Sequence, residues 1–192
     1  QGICDSLQYV TRDSTLTLYQ KPVMWSGNQQ IFGDTIRVFF NDSTVDWAHV
    51  INTAFATQLK EGDYYDQLEG NEIKAFFDNG EMRRIEALGN VIVIFYPQES
   101  DSTITGMFHT DASFLNIHLL NNEMQKMVMW PSVKGKMYPL EKLSRDMIFL
   151  SRYVWYGDER PLDKDDIYRR PKVEAVTNDD ENQRATRHKF NL

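Results

Sequence analysis

Four histidines, His49, His109, His118 and His188, are the side chains best suited to acid–base work or metal ligation near neutral pH. His109-Thr-Asp111 with His118 comes nearest to a ligand spacing, but in an extended chain His118 shares a side with Asn116 and turns away from Ile117 and Leu119. No metal site and no cofactor are expected. Asp163, Asp165 and Asp166 stand among Arg160, Lys164, Arg169 and Arg170, a mixed-charge solvated surface, not the facing carboxylate pair that glycoside cleavage needs. Asp-Ser-Thr recurs at 13–15, 42–44 and 101–103, and short side chains of this kind bond their own backbone at turns. There is no Gly-x-Ser-x-Gly elbow, no phosphate-cradling glycine loop and no His-Glu-x-x-His. Cys4, the sole cysteine, excludes an internal disulfide and reads as a small buried hydrophobe. These residues predict a protein that is not an enzyme.

The elements that carry these residues form a repeat. Gly33-Asp-Thr-Ile-Arg-Val-Phe-Phe-Asn-Asp-Ser-Thr-Val recurs in kind as Gly70-Asn-Glu-Ile-Lys-Ala-Phe-Phe-Asp-Asn-Gly-Glu-Met, and more loosely as Ala112-Ser-Phe-Leu-Asn-Ile-His-Leu-Leu-Asn-Asn-Glu-Met. Without a gap, Ile36, Ile73 and Leu115 correspond, as do Val38, Ala75 and Ile117, then Phe40, Phe77 and Leu119. Their period of two predicts strands with one buried face, and Asn41-Asp-Ser, Asp78-Asn-Gly and Asn121-Asn supply the turns. After each turn, Val45, Ala48 and Val50 match Met82, Ile85 and Ala87, then Met124, Met127 and Met129. That spacing of three, then two, predicts a bulge or bend. Such units cannot bury their own apolar face and must stack.

Further strands are expected at Ser14 to Tyr19, at Pro22 to Trp25 after a bend at Gln20-Lys21, and at Val91 to Tyr96; Val50 to Leu59 is read as strand and loop. From Pro139 the repeat stops. Arg152 to Tyr156 is read as a last strand, and Lys164 to Tyr168 as a short helical turn within an irregular wrap. The expected division is a repeat β domain over 1–138, a cap or wrap over 139–172, and a polar, flexible tail over 173–192.

With 41% hydrophobic and 12% aromatic residues the chain can build a sizeable core, and its net charge of −7 argues against nucleic acid as a partner. No apolar run approaches the roughly 18–20 residues of a membrane-spanning helix. The sequence opens at Gln1, so either a signal peptide has been removed or the sequence is part of a longer one.

Leu16-Thr-Leu-Tyr-Gln-Lys-Pro-Val-Met-Trp-Ser26, then Gly33-Asp-Thr-Ile and Asn41-Asp-Ser-Thr-Val45, resembles the OstA-like (LptA-type) family of periplasmic lipopolysaccharide-transport proteins. Gln20-Lys21 stands where the family often has Gly-Asn before the proline. Arg160-Pro-Leu-Asp-Lys-Asp-Asp-Ile167 looks like the C-terminal segment of the Bacteroidetes branch, and the resemblance covers residues 5 to about 170.

The resemblance implies an all-β fold, a twisted antiparallel β-jellyroll folded over like a taco, whose apolar interior holds lipopolysaccharide acyl chains. It implies a periplasmic protein that joins other jellyroll proteins of the transport bridge, or copies of itself head to tail, by edge-to-edge strand addition. The expected groove lining is Ile36, Val38, Phe40, Ile73, Ala75, Phe77, Leu115, Ile117 and Leu119, with Leu16, Leu18, Trp25, Val91, Val93 and Phe95 opposite or beside them. Each of these also suits ordinary core packing. Arg37, Lys74, Arg83 and Arg84 are the candidate rim that would meet lipid A phosphates. The competing expectation is a structural module of the cell envelope with a sealed core, binding protein partners through its sheet edges.

Overall fold

The computed structural model describes residues 1–41, 44–98, 103–121, 123–163 and 165–168. Within them a single 12-stranded antiparallel sheet is folded onto itself. The strands are β1 (Gly2–Ile3), β2 (Ser6–Val10), β3 (Thr15–Tyr19), β4 (Val23–Ser26), β5 (Gln29–Phe32), β6 (Thr35–Asn41), β7 (Thr44–Leu59), β8 (Tyr65–Asp78), β9 (Glu81–Phe95), β10 (Met107–Leu120), β11 (Glu123–Trp130) and β12 (Lys134–Tyr138). Strands β7 to β10 run through both halves of the fold. The first leaf has the order β2-β3-β6-β7-β8-β9-β10-β11, and the second β1-β4-β5-β7-β8-β9-β10-β12. This is the expected all-β, folded-over jellyroll.

Each passage between leaves is a corner. Asn52 and Thr53 bend β7 with φ of 58° and 47°, Gly89 and Asn90 bend β9 with 73° and 51°, and Gln20 and Lys21 turn β3 into β4 with 64° and 59°. Left-handed backbone is easy for Gly and tolerable for Asn. Thr53 is β-branched and needs help, which it finds by donating its hydroxyl to Asp34 Oδ1 at 2.7 Å. A Cβ at Gly33 would stand 2.5 Å from Val50 Cγ1, so the first copy of the repeat begins where only glycine fits between strands. At Gly89 an added Cβ would meet the Asn71 amide nitrogen at 2.5 Å on top of the positive φ. Gly89→Ala is therefore expected to destabilise the fold by about 1–3 kcal/mol, read as a lowered urea midpoint at unchanged m-value.

The repeat positions fall into straight cross-strand rows. Val38, Ala48, Ala75, Ile85, Ile117 and Met127 are successive partners across β6 to β11, and Ile36, Val50, Ile73, Ala87, Leu115 and Met129 form the next row. All three copies carry the expected bulge. The ladder shifts between Phe39 and Phe40, between Phe76 and Phe77, and between His118 and Leu119, which leaves Asp46, Arg83 and Gln125 as the extra residues. The bulge lets an inward residue follow the turn in each copy although the spacing is three. Val50 to Leu59 is strand throughout, apart from the corner at Asn52-Thr53.

After Tyr138 the chain crosses the outer face of the second leaf through short 3-10 turns at Leu140–Lys142, Arg145–Met147 and Gly157–Glu159. Arg152 to Tyr156 is not the last strand that its aromatic pattern suggests. It lies over the sheet instead of along an edge, so side chains supply its bonds. Gln67 donates to the Ile148 carbonyl at 2.7 Å and accepts the Leu150 N–H at 2.8 Å; six residues on, Gln30 does the same for Val154 and Tyr156, both at 2.8 Å. Arg152 pairs with Glu69 at 2.8 Å. Beneath this strap Phe55, Ile94, Tyr96, Ile104, Met107, Ile148 and Leu150 make a second core. A short 3-10 turn at Asp165–Tyr168 matches the expected helical turn, and the polar tail lies outside the described residues.

Candidate functional site

Between the leaves the apolar rows close on one another at the corners and part on the other side. There the first leaf ends in hairpin tips at Asn41–Thr44, Asp78–Glu81 and Leu120–Glu123, the second in the turns after Ser26 and Leu59, and among the described residues no ladder joins the two lips. The space is a cavity of about 770 Å³, within the range of small-ligand sites. A trough of this composition can hold hydrocarbon, and burying a chain there is worth about 0.8 kcal/mol per methylene.

Of the residues expected to line it, Ile36, Ile73, Ala75, Phe77, Ile117, Leu119, Val93 and Phe95 do so. Val38, Leu115, Val91 and Leu18 are buried in the same inner cluster, and Leu16 and Phe40 pack against it half-buried. Trp25 also borders the cavity. Met24, its neighbour on β4, packs inward, so alternation turns the indole itself to the outer face, where its N–H donates to Gln30 Oε1 at 3.1 Å under the strap. Met82, Met124 and Met127, matched positions of the repeat, also stand on the wall with their flexible thioethers, joined by Met24 and Ile31, which the sequence did not single out.

The four basic residues do not form a rim. Arg37, Lys74 and Arg84 alternate with inward residues and so stand on the outer face of the first leaf, in line with His49 and Glu86 or with Phe76. The Arg84 guanidinium lies 4.1 Å from the Phe76 ring centre and pairs with Glu86 at 3.2 Å. Phe76 in turn continues a stack through Trp47 to Phe39. Arg83, the bulge residue, pairs with Glu81 at 2.9 Å beside its own hairpin. None of the four lines the cavity.

Three charged residues reach the cavity wall, the pair Lys60 and Asp66 and, at the tip of the opposite lip, Glu123, and none was singled out as a site residue from the sequence. Lys60, in the turn after β7, meets Asp66 of β8 at 3.1 Å, and both side chains are less than one-fifth exposed, at 18% and 19%. Asp66 Oδ1 also accepts the Tyr96 N–H at 2.9 Å. Burial pushes the Asp66 carboxyl up to about 6, against the opposing pull of the Lys60 ammonium and of the Tyr96 N–H. Because the folded state then holds this proton more tightly than the unfolded chain, the contribution of Asp66 to stability grows as pH falls from about 6 toward the ordinary carboxylate range, and is lost above it. The signal in the sequence was parity: Asp66 sits two residues before inward Leu68.

The histidines serve the outside. His49 meets Glu72 at 2.8 Å, His109 stands 4.0 Å from Asp111, His118 is exposed opposite Ile117, and His188 lies outside the described residues. Among the described residues no three His, Cys, Asp or Glu side chains gather at metal-binding distance. Asp163 and Asp166 accept backbone N–H groups of their own turn. Cys4 packs half-buried against the inner cluster, and burial raises its thiol.

No protein-family model matches the chain, and no curated protein matches it in sequence. Solved structures do. The crystal structure of LptH from Pseudomonas aeruginosa, described as the LptA-homologous periplasmic component of the conserved lipopolysaccharide transport device, superposes with a TM-score of 0.55 at 12% identity, over 72% of this chain and 94% of that one. The twelve-stranded folded sheet built here from corners, bulges and matched rows thus has the fold of a solved lipopolysaccharide-transport component.

Proposed function

We propose that this chain is a non-enzymatic carrier of lipopolysaccharide, shielding acyl chains in the trough while the saccharide stays in water, as one segment of a periplasmic bridge toward the outer membrane. The observation that carries the reading is the unfilled apolar space of about 770 Å³ between two leaves whose facing rows are apolar. A scaffold that used only its edges would need no such space, since interiors otherwise pack to crystal density. The likeness of fold to LptH supports the same reading.

The ends of the stack suit the bridge. β1 and β2 stand at one end and β11 and β12 at the other, with Leu7, Tyr9, Trp130, Val133 and Met137 exposed near them. Open edges of this kind accept further strands, from another jellyroll protein or a second copy. Light scattering over a concentration series is expected to show mass rising in whole-chain steps; a flat monomer mass removes self-association from the account. The carrier reading itself is tested by mass spectrometry of lipid extracted from the purified protein. Lipid A ions are expected, whereas lipid-free protein that also fails to take up added lipopolysaccharide overturns it.

A further inference from the structure

The polar residues on the cavity wall, Glu123 apart, belong to the second leaf. Ser26, Gln29, Gln58, Lys60, Asp66 and Gln98 belong to the ends of the second-leaf strands, while the opposite lip offers Phe77, Met82, Leu119 and Met124, with Glu123 at its tip. An amphiphile with its chain in the trough would therefore find its polar end directed to the second leaf. We propose that Lys60 and Asp66 form a head-group subsite on that lip for the phosphate of an amphiphile whose chain lies in the trough. The inference rests on the carrier reading and names the part of the ligand that reading leaves open.

The pair is built to face a ligand. Lys60 is held in a closed turn, its N–H bonded to the Tyr64 carbonyl at 2.9 Å and the Tyr64 N–H to the Glu61 carbonyl at 3.0 Å. Its ammonium lies 6.0 Å from the centre of the Phe95 ring, itself a wall residue. An ammonium has three donors, so it can take a phosphate oxygen without releasing Asp66. In a site of low polarity such a charge-assisted bond is strong. Around Asp66 stand Lys60, Tyr96, and Gln58 as its ladder partner; Glu123 is the charged group on the facing lip.

Protonation of Asp66, whose carboxyl burial holds near 6, frees the Lys60 charge and turns a competing anion into a hydrogen-bond donor. Phosphate binding thus strengthens as pH falls from 7.5 to 5.

Lysophosphatidylglycerol, whose phosphodiester stays singly charged over that range, and a monoacylglycerol of the same chain length are the probes, with inorganic phosphate as a competitor. Wild type is expected to gain roughly tenfold in affinity for the lysophospholipid between pH 7.5 and 5, while monoacylglycerol binding stays level. Lys60→Met loses roughly tenfold or more for the lysophospholipid alone, Lys60→Arg retains binding, and Asp66→Asn binds tightly at pH 7.5 with no pH dependence. Equal binding of both probes by wild type and Lys60→Met overturns the subsite and leaves the carrier standing. Failure of both probes to bind wild type overturns the carrier reading and the subsite with it. Competition by inorganic phosphate at equal strength marks a free-anion site and also overturns the proposal.

Discussion

Ile117→Asp and Phe77→Asp are each expected to weaken lipopolysaccharide binding by roughly 100-fold or more, with the thermal melt still cooperative. Both side chains line the cavity from matched strands of the repeat, so a bound acyl chain must lie against them. Replacing either removes about 1.5–3 kcal/mol of apolar contact. It also puts a carboxylate where the chain would have to strip its water, at a cost of several kcal/mol. Both positions lie on the open side of the trough, so in the empty protein the new carboxylate can keep its water. Arg83→Ala is the internal comparison. Its guanidinium pairs with Glu81 beside a surface hairpin and does not line the cavity, and exposed pairs of this kind contribute about 0–1 kcal/mol. Its binding should match wild type, as read by lipid co-elution in gel filtration.

Gln67→Ala is expected to cost about 2–6 kcal/mol of stability. The Gln67 amide bridges β8 to the 148–150 segment of the strap, and Gln67 is 1% exposed. Truncation leaves the Ile148 carbonyl and the Leu150 N–H buried without a partner, at about 1–3 kcal/mol each. The strap should then lift at its most buried point. The measurable outcomes are a lowered urea midpoint and rapid proteolysis within residues 140–156, while the two leaves persist. Gln67→Glu sharpens the test. At neutral pH it keeps the acceptor for Leu150 but sets a carboxylate against the Ile148 carbonyl, and protonation restores a donor, so its stability should recover as pH falls. A strap that survives both substitutions would mean that Phe149, Tyr153 and Tyr65, stacked against one another, hold its 148–150 segment without Gln67.

The first leaf was legible in the sequence because only one of its faces is covered. Ile36-x-Val38-x-Phe40 alternates with polar or exposed partners, and the repetition of that pattern, with Asn-rich turns and the three-then-two spacing, gave strands, tips and bulges together. The second leaf hides the same information. Its inner face packs in the trough and its outer face under the strap, so Phe55 and Ile94 are as apolar as Leu68 and Val93, and hydrophobicity cannot say which way each points. Trp25 is the example: it borders the cavity, yet its indole is buried on the face opposite Met24. The strap was illegible because its bonds come from Gln30 and Gln67, more than eighty residues away in the chain, and no local pattern marks a glutamine as a backbone partner. Arg37 and Lys74 were read correctly as outward, but outward in a folded sheet means the far face and not the mouth.

The central claim is that lipid lies between the leaves, and site-specific photo-crosslinking tests it directly. A photoreactive amino acid at Phe77 or Ile117, which line the cavity, is expected to crosslink lipopolysaccharide, whereas the same group at Phe76 or His118, their neighbours on the outer face, should not. Crosslinks at the outer pair with none at the inner pair, in folded protein, would contradict the account.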